Sequence, residues 1–459
     1  MTSSVSSKLP PGLLLAYYGD DFTGSTDAME AMTAAGIPTM LFFQSPTPEM
    51  LARFPSVRCV GLAGASRGKG PAWMEAELPR AFESLRKLGA PILQYKVCST
   101  FDSSPTVGSI GKAIDVGATA VGGAWVPIVV GVPRLKRYQA FGNLFAAVDG
   151  QCYRLDRHPT MSRHPVTPMS ESDLREHLAQ QTQRPIELVD LVQLSSGNAT
   201  PPAPVSAQAA PAVFIDVVDE ATSQAAGELV WEGRGDGIFS ASSSGLQYAL
   251  TAYWRSRGWI PSEYELEKAR PVPVIAGVSG SCSPVTARQL EWAEKNGFGT
   301  IRLDVQKVLD NDTAGQEVER VSSAAVQALS INVSPIIYSA KGPDDPAVLQ
   351  FSEMANQAGL SRLEAANRVS NALAQSMRRV LDATDRTKLR RVAVAGGDSS
   401  GDVASALDIT ALSVKAPLTP GAPLCQAWSE LPQRDGLEIV LKGGQMGNEQ
   451  FFGSVLAGS

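Results

Sequence analysis

The sequence predicts an α/β protein of two domains, each a mostly parallel sheet flanked by helices. Three observations carry the prediction. Short apolar runs of strand character alternate with longer amphipathic segments, the pattern of doubly wound sheets. Loops rich in Gly, Ser and Asp directly follow several of those runs, where open α/β sheets place their ligands. At 459 residues the chain is long for one core, and a stretch of prolines and charges over 258–273 divides it.

The elements follow in order. Residues 13–18 form a buried strand, a polar loop comes next, and a helix spans about 26–35 until Gly36-Ile37-Pro38 ends it. The unit repeats with strands at 39–43 and 57–62, a helix at 73–88 and a strand at 91–97. From 195 to 211 the composition turns to Ser, Gly, Ala and Pro, a surface connection, and 213–217 resumes a strand. After the break a strand at 274–278 opens a fresh strand-loop-helix series. The expected domains are therefore 1–265 and 266–459.

Composition narrows the class. Hydrophobic residues make up 44% and charged residues 19% of the chain, enough apolar material for two cores. The net charge is −6 with no basic run, so neither nucleic acid nor an anionic membrane surface is an expected partner. Cys59, Cys98, Cys152, Cys282 and Cys425 show no CxxC or zinc spacing and read as reduced thiols of a cytoplasmic protein. No signal core or spanning apolar stretch is present. The three histidines, His158, His164 and His177, lie close together in sequence, so proton chemistry elsewhere falls to carboxylates.

The first chemical motif runs from Tyr18 to Asp27 and holds adjacent carboxylates, Asp20 and Asp21, after the first strand. Gly19 and Gly24 let the backbone turn, and Ser25 or Thr26 is placed to cap the following helix. A carboxylate here could bind a substrate hydroxyl and accept its proton; the plainer reading is a capped loop. The second motif, Lys96 to Ser104, offers Lys96, Ser99, Thr100 and Asp102 to a polyhydroxylated anion. Arg67 could add a bidentate clamp on the same anion; the alternative is a polar turn with a solvated lysine.

Three small-residue loops mark the second half: Val278 to Pro284, Ala395 to Gly401 and Lys442 to Gly447. Each follows a strand, and at least two open a helix. Backbone N–H groups and the positive helix end can face phosphates there, with glycines permitting close approach. The Walker pattern is absent, since Gly68-Lys69 precedes Gly70 and Gly111-Lys112 precedes Ala113. No GxGxxG follows the first strand. Cys98 and Cys282, without a nearby histidine, are expected to serve small-residue packing. The His158-Pro159 and His164-Pro165 turns, around Arg163, are expected to be structural or substrate-shaping.

These motifs together resemble the four-carbon acid sugar kinases. That family carries a DDFTG loop, here Asp20 to Gly24, and a K-x-C-S-T-F-D-S loop, here Lys96 to Ser103. It carries H-P-x-x-P-M, S-G-S-C-S, G-G-[ED]-[ST]-S-G and K-x-G-x-x-G segments, here 164–169, 279–283, 396–401 and 442–447. The match spans nearly the whole chain in order. Two loops differ mildly: KGGQMG stands where KSGNFG is common, and Asp398 replaces the commoner Glu. The segment 132–145, with Arg134, Lys136 and Arg137, departs from the N-G-R stretch usual before the His-Pro loop.

The resemblance implies an N-terminal sugar-acid-binding domain, a C-terminal domain for ATP, and an active site in the cleft between them. It implies ATP-dependent phosphorylation of a threonate, erythronate or 3-oxo-tetronate, with Mg2+ on the phosphates. A branched acid such as 3-oxo-isoapionate, or a non-catalytic sensor of sugar acid or nucleotide, stays open as an alternative, as does a homodimer. By motif, Asp21 and Asp20 are the catalytic positions, and Asp20, Arg67, Lys96, Ser99, Thr100 and Asp102 hold the substrate. Ser279, Ser281, Gly396, Gly397, Asp398, Ser399, Gly401, Lys442 and Gly444 are the positions for ATP.

Overall fold

A computed structural model describes residues 8–148, 150–164, 166–197, 199–202 and 210–459, apart from the side chains of 397–399. Pro165 of the His-Pro turn, and residues 198 and 203–209 of the connection expected at 195–211, lie outside the described residues. The chain divides into two compact units, Met1–Glu265 and Leu266–Ser459.

The first unit carries strands β1 (Leu15–Gly19), β2 (Thr39–Phe42), β3 (Cys59–Ala63), β4 (Ile92–Lys96), β5 (Val126–Ile128), β6 (Arg137–Ala140), β7 (Asn143–Val148), β8 (Gln151–Arg154), β9 (Ile186–Val189), β10 (Ala212–Ile215) and β11 (Ile238–Ser242). Its main sheet runs β11-β4-β1-β3-β2, parallel throughout. The strands are buried along their whole length, which is why they read as continuous apolar runs without alternation. A smaller parallel sheet runs β5-β10-β9, and β6-β7-β8 form an antiparallel meander. The helix Pro71–Arg86 buries Met74, Leu78, Phe82 and Leu85 along one stripe. Phe82 packs on the rings of Tyr18, Tyr95 and Phe239, with centroids 6.0, 6.2 and 5.2 Å away. Each such side chain removed from water contributes about 1.5–3 kcal/mol.

The second unit carries β12 (Ala276–Ser279), β13 (Gly299–Arg302), β14 (Pro335–Tyr338), β15 (Arg391–Ala395), β16 (Ala411–Thr419), β17 (Ala422–Trp428) and β18 (Glu438–Lys442). Strands β18-β15-β12-β14-β13 are parallel, and β17 and β16 extend the sheet antiparallel beyond β18. Phe451, Phe452 and Val455 of the last helix close one face of its core. At the N-terminal edge of β15 and β18 the buried Arg391 meets Glu438, with Nη2 2.6 Å from Oε2. That guanidinium also donates to the carbonyls of Val455 and Arg270.

Both units thus have the helix-flanked, mostly parallel sheet that the sequence predicts. One boundary differs with consequence: the first helix starts at Phe22, not near Thr26. Its cap is Asp21, not Ser25 or Thr26.

Candidate active site

In the first unit, register brings distant residues to one edge. Gly19 at the end of β1 pairs with Ala63 of β3 and Lys96 of β4. The loops that leave there hold Asp20 and Asp21, Arg67, and Cys98 to Asp102. Asp20 lies buried beneath the edge, whereas Asp21 is half-buried. Asp21 caps the helix Phe22–Thr33, its Oδ1 accepting from the Gly24 N–H at 2.7 Å.

Arg67 joins the two carboxylates. Its Nε and Nη2 donate to Asp20 Oδ2 and Oδ1 at 3.0 and 2.8 Å, and its Nη1 donates to Asp21 Oδ2 at 2.6 Å. The fork that the sequence offered to substrate is therefore largely engaged by the aspartates. Burial pushes the Asp20 carboxyl above its ordinary value, the Arg67 charge opposes this, and the Asp21 charge reinforces it. Arg67 itself is held well above its usual range: burial pulls it down, but the two aspartates outweigh that.

Neither Gly19 nor Gly24 has positive φ, so tight turning is not their role. A Cβ on Gly24 would stand 2.5 Å from Asp21 Oδ1 and 3.1 Å from Lys96 Nζ. Gly24 is thus a matter of close approach inside the charged cluster. Lys96 is buried, donates to the Val97 carbonyl at 2.9 Å and lies 3.9 Å from Asp27 Oδ2. It is not the solvated lysine of the plainer reading.

Beyond Lys96, Thr100 donates to Asp102 Oδ1 at 2.5 Å, and Thr167 donates to its Oδ2 at 3.2 Å. Burial works to raise the Asp102 carboxyl, but the Arg67 charge, Thr100 and the His164 charge together bring it below its ordinary value. Ser99 is half-buried beside Cys98. His158 Nδ1 accepts from Thr160 and Met161 N–H, and His164 Nδ1 from Thr167 N–H. His177 Nε2 is 2.8 Å from Ser103 Oγ. His164, through Thr167, and His177, through Ser103, support the 98–103 segment, whereas His158 holds its own turn. Burial pushes both the Cys98 and Cys282 thiols up, against a nucleophile. Cys282, however, is exposed, so packing is not its role.

The second unit builds its edge the same way. Ser279 of β12 pairs with Ala395 of β15, which pairs with Lys442 of β18. The three glycine-serine loops leave side by side, and the Gly280 and Gly396 N–H groups bond back to Ala395 and Lys442 carbonyls. Ser283 caps the helix Pro284–Lys295, and Gly396 caps Gly397–Ala406. Gly401 lies in that second helix. The side chains of Asp398 and Ser399 lie outside the described residues.

The Ser279 hydroxyl is buried without a partner among the described residues. A Cβ on Gly444 would meet Ser281 Oγ at 2.7 Å. Thr286 donates to the Gly444 carbonyl at 3.0 Å, and Lys442 Nζ donates to Thr286 Oγ1 at 3.0 Å and to the Gly443 carbonyl at 3.2 Å. Lys442 is fully buried and has no carboxylate partner among the described residues. Burial alone lowers its ammonium to about 8. Such loops present N–H donors and hydroxyls, with the Lys442 charge buried among them, an arrangement suited to a polyphosphate.

Two parts of this arrangement escape a reading of the sequence. Thr286 is a helix residue that no loop motif includes. The bond from Arg67 to Asp20 and Asp21 spans 47 and 46 positions; only the strand order could reveal it.

A family model for a sugar-binding N-terminal domain matches residues 15–250, and one for a nucleotide-binding C-terminal domain matches 276–452. The chain is 64% identical over 450 residues to a 3-oxo-isoapionate kinase of Paraburkholderia graminis, covering 98% of this chain and 95% of that one. It is 29% identical to a 3-oxo-tetronate kinase of Pseudomonas fluorescens, covering 97% of each. In fold it matches a Salmonella typhimurium LT2 protein with TM-score 0.74 at 24% identity, over 96% of this chain and 98% of that one. A Haemophilus influenzae protein matches with TM-score 0.69 at 22% identity, over the same shares.

Two α/β units carrying a sugar-binding and a nucleotide-binding domain define a kinase of sugar acids. The chain belongs to the four-carbon acid sugar kinase family.

Proposed function

We propose that this kinase transfers the γ-phosphate of ATP to a hydroxyl of 3-oxo-isoapionate, a branched sugar acid, rather than to a four-carbon acid. The observation that carries the choice is a likeness to the Paraburkholderia protein more than twice that to the 3-oxo-tetronate kinase of Pseudomonas fluorescens. ATP as donor is consistent with a cytoplasmic enzyme.

Phosphoryl transfer asks for positioning and charge stabilisation more than for covalent chemistry. Asp21 is the carboxylate of the pair that reaches the surface, and in this reading it orients the attacking hydroxyl and takes its proton. Asp20, deeper and bound on both oxygens by Arg67, is a positioning residue: it fixes the guanidinium that fixes Asp21. Ser99, Thr100 and Asp102 offer partners for substrate hydroxyls. Ser279, Ser281 and the N–H groups of the 396–401 and 442–447 loops cradle the phosphates, and Lys442 holds the Gly443-Gly444 turn.

Mg2+, when bound with ATP, neutralises charge on the phosphates. Among the described residues no group of three or more His, Cys, Asp or Glu side chains gathers for a metal. An ion carried by the nucleotide needs only one or two protein carboxylates.

The test is ADP release with Mg-ATP across 3-oxo-isoapionate, 3-oxo-tetronates, threonate and erythronate. Preferential turnover of 3-oxo-isoapionate is expected. Preferential turnover of a four-carbon acid would overturn the substrate, and ATP binding without turnover of any acid would favour a sensor.

A further inference from the structure

The segment 132–145 that departs from the family's usual sequence holds three basic residues. Arg134 and Lys136 are exposed, whereas Arg137, first residue of β6, is half-buried. Its Nη1 donates to the carbonyls of Leu135, Lys136 and Ala147, each at 3.3 Å. Its Nε is buried and has no partner among the described residues. Burial pulls its charge down and no carboxylate among the described residues counters that; the titratable groups beside it are Cys98, Cys152 and His158. Cys98 lies in the 96–103 loop and is also within the field of Arg67.

That loop therefore lies near two guanidinium groups of opposite condition. Arg67 is neutralised by Asp20 and Asp21. Lys96, the other cation of the site, is buried and turned to Val97 and Asp27. Among the described residues Arg137 alone of the three has no acidic partner, and an arginine does not relieve burial by losing its proton. Buried donors in folded proteins find partners, and the Nε–Nη2 edge left by the Nη1 bonds is the one that grips a carboxylate with two parallel hydrogen bonds.

We propose that Arg137 binds the carboxylate of the substrate and is the residue by which the enzyme requires an acid. The inference rests on the sugar-acid reading above and replaces Arg67 and Lys96 as the carboxylate's partner. The competing role is a structural pin, since Nη1 ties the β6 turn to β7 through Ala147. The two roles differ in what they do to an uncharged substrate.

The experiment compares wild type with Arg137→Met and Arg137→Lys on the acid the wild type phosphorylates, and on the primary amide of that acid. Wild-type turnover is read first, so a wrong substrate shows there and not in the variants. For Arg137→Met the KM for the acid should rise roughly a hundredfold, with the KM for ATP unchanged. The amide, a poor wild-type substrate, should be used equally by both. Arg137→Lys should recover part of the acid's affinity, and it carries the same comparison if the Met variant does not fold. An acid KM within twofold of wild type would overturn the proposal. So would an equal loss for acid and amide, which marks a structural pin.

Discussion

The strand ends that carry the motif loops are built on the same plan in the two units and handle charge differently. In the first unit, Asp20, Asp21, Asp27, Arg67 and Lys96 crowd the ends of β1, β3 and β4, and their charges are paired with one another. In the second unit, the matching ends of β12, β15 and β18 carry glycines, serines, Asp398 and Lys442, and Lys442 has no acidic partner among the described residues. Carboxylates are not foreign to that second sheet: Arg391 and Glu438 pair at its opposite edge. The difference supports the proposed division of labour. A group that orients a hydroxyl and takes its proton must be ionised and held by a counter-charge. A cradle for a polyphosphate must offer N–H and hydroxyl donors, leaving the ligand to complete the charge balance.

Substitutions can break that comparison one edge at a time. The largest effect is expected from Asp21→Asn. Asparagine still caps a helix, so the fold should hold while turnover falls by roughly 10²–10⁴-fold and ATP still protects the protein in thermal shift. Next is Arg67→Met, which leaves two carboxylates facing each other without a cation. It should cost about 3–5 kcal/mol of stability in urea unfolding, as well as activity.

His177 sharpens the picture of the first edge through pH. Burial holds it down to about 4 against an ordinary 6.5, so the fold prefers the neutral ring. Its contribution is complete above pH 6.5 and is lost as pH falls through 4, about 3 kcal/mol in all. His177→Gln should flatten the urea midpoint between pH 7 and 4 relative to wild type. The smallest effect is expected from Gly444→Ala, where the new Cβ meets Ser281 Oγ. It should raise the KM for ATP about tenfold, equivalent to about 1.4 kcal/mol.

Much of this was legible in the sequence because the signals are local. Buried parallel strands read as apolar runs, and the loops after them announced themselves by composition. What stayed hidden depends on contacts across the chain. Gly24-Ser25-Thr26 looked like a turn and cap, yet Gly24 sits inside the first helical turn because Asp21 and Lys96 approach it. Arg67 looked free for substrate because its partners lie nearly fifty positions away. The meander β6-β7-β8 was not foreseen: its strands of four to six residues are too short for a period to stand out in the sequence. The cation there that turned inward could not be told from its exposed neighbours.

The division of labour is tested most directly by measuring ATP affinity and saturated turnover in Asp21→Asn and Gly444→Ala side by side. The account predicts that Asp21→Asn keeps its ATP affinity and loses turnover, while Gly444→Ala loses ATP affinity and keeps turnover once ATP saturates. Loss of both quantities in both variants, or near-normal turnover in Asp21→Asn, would contradict it.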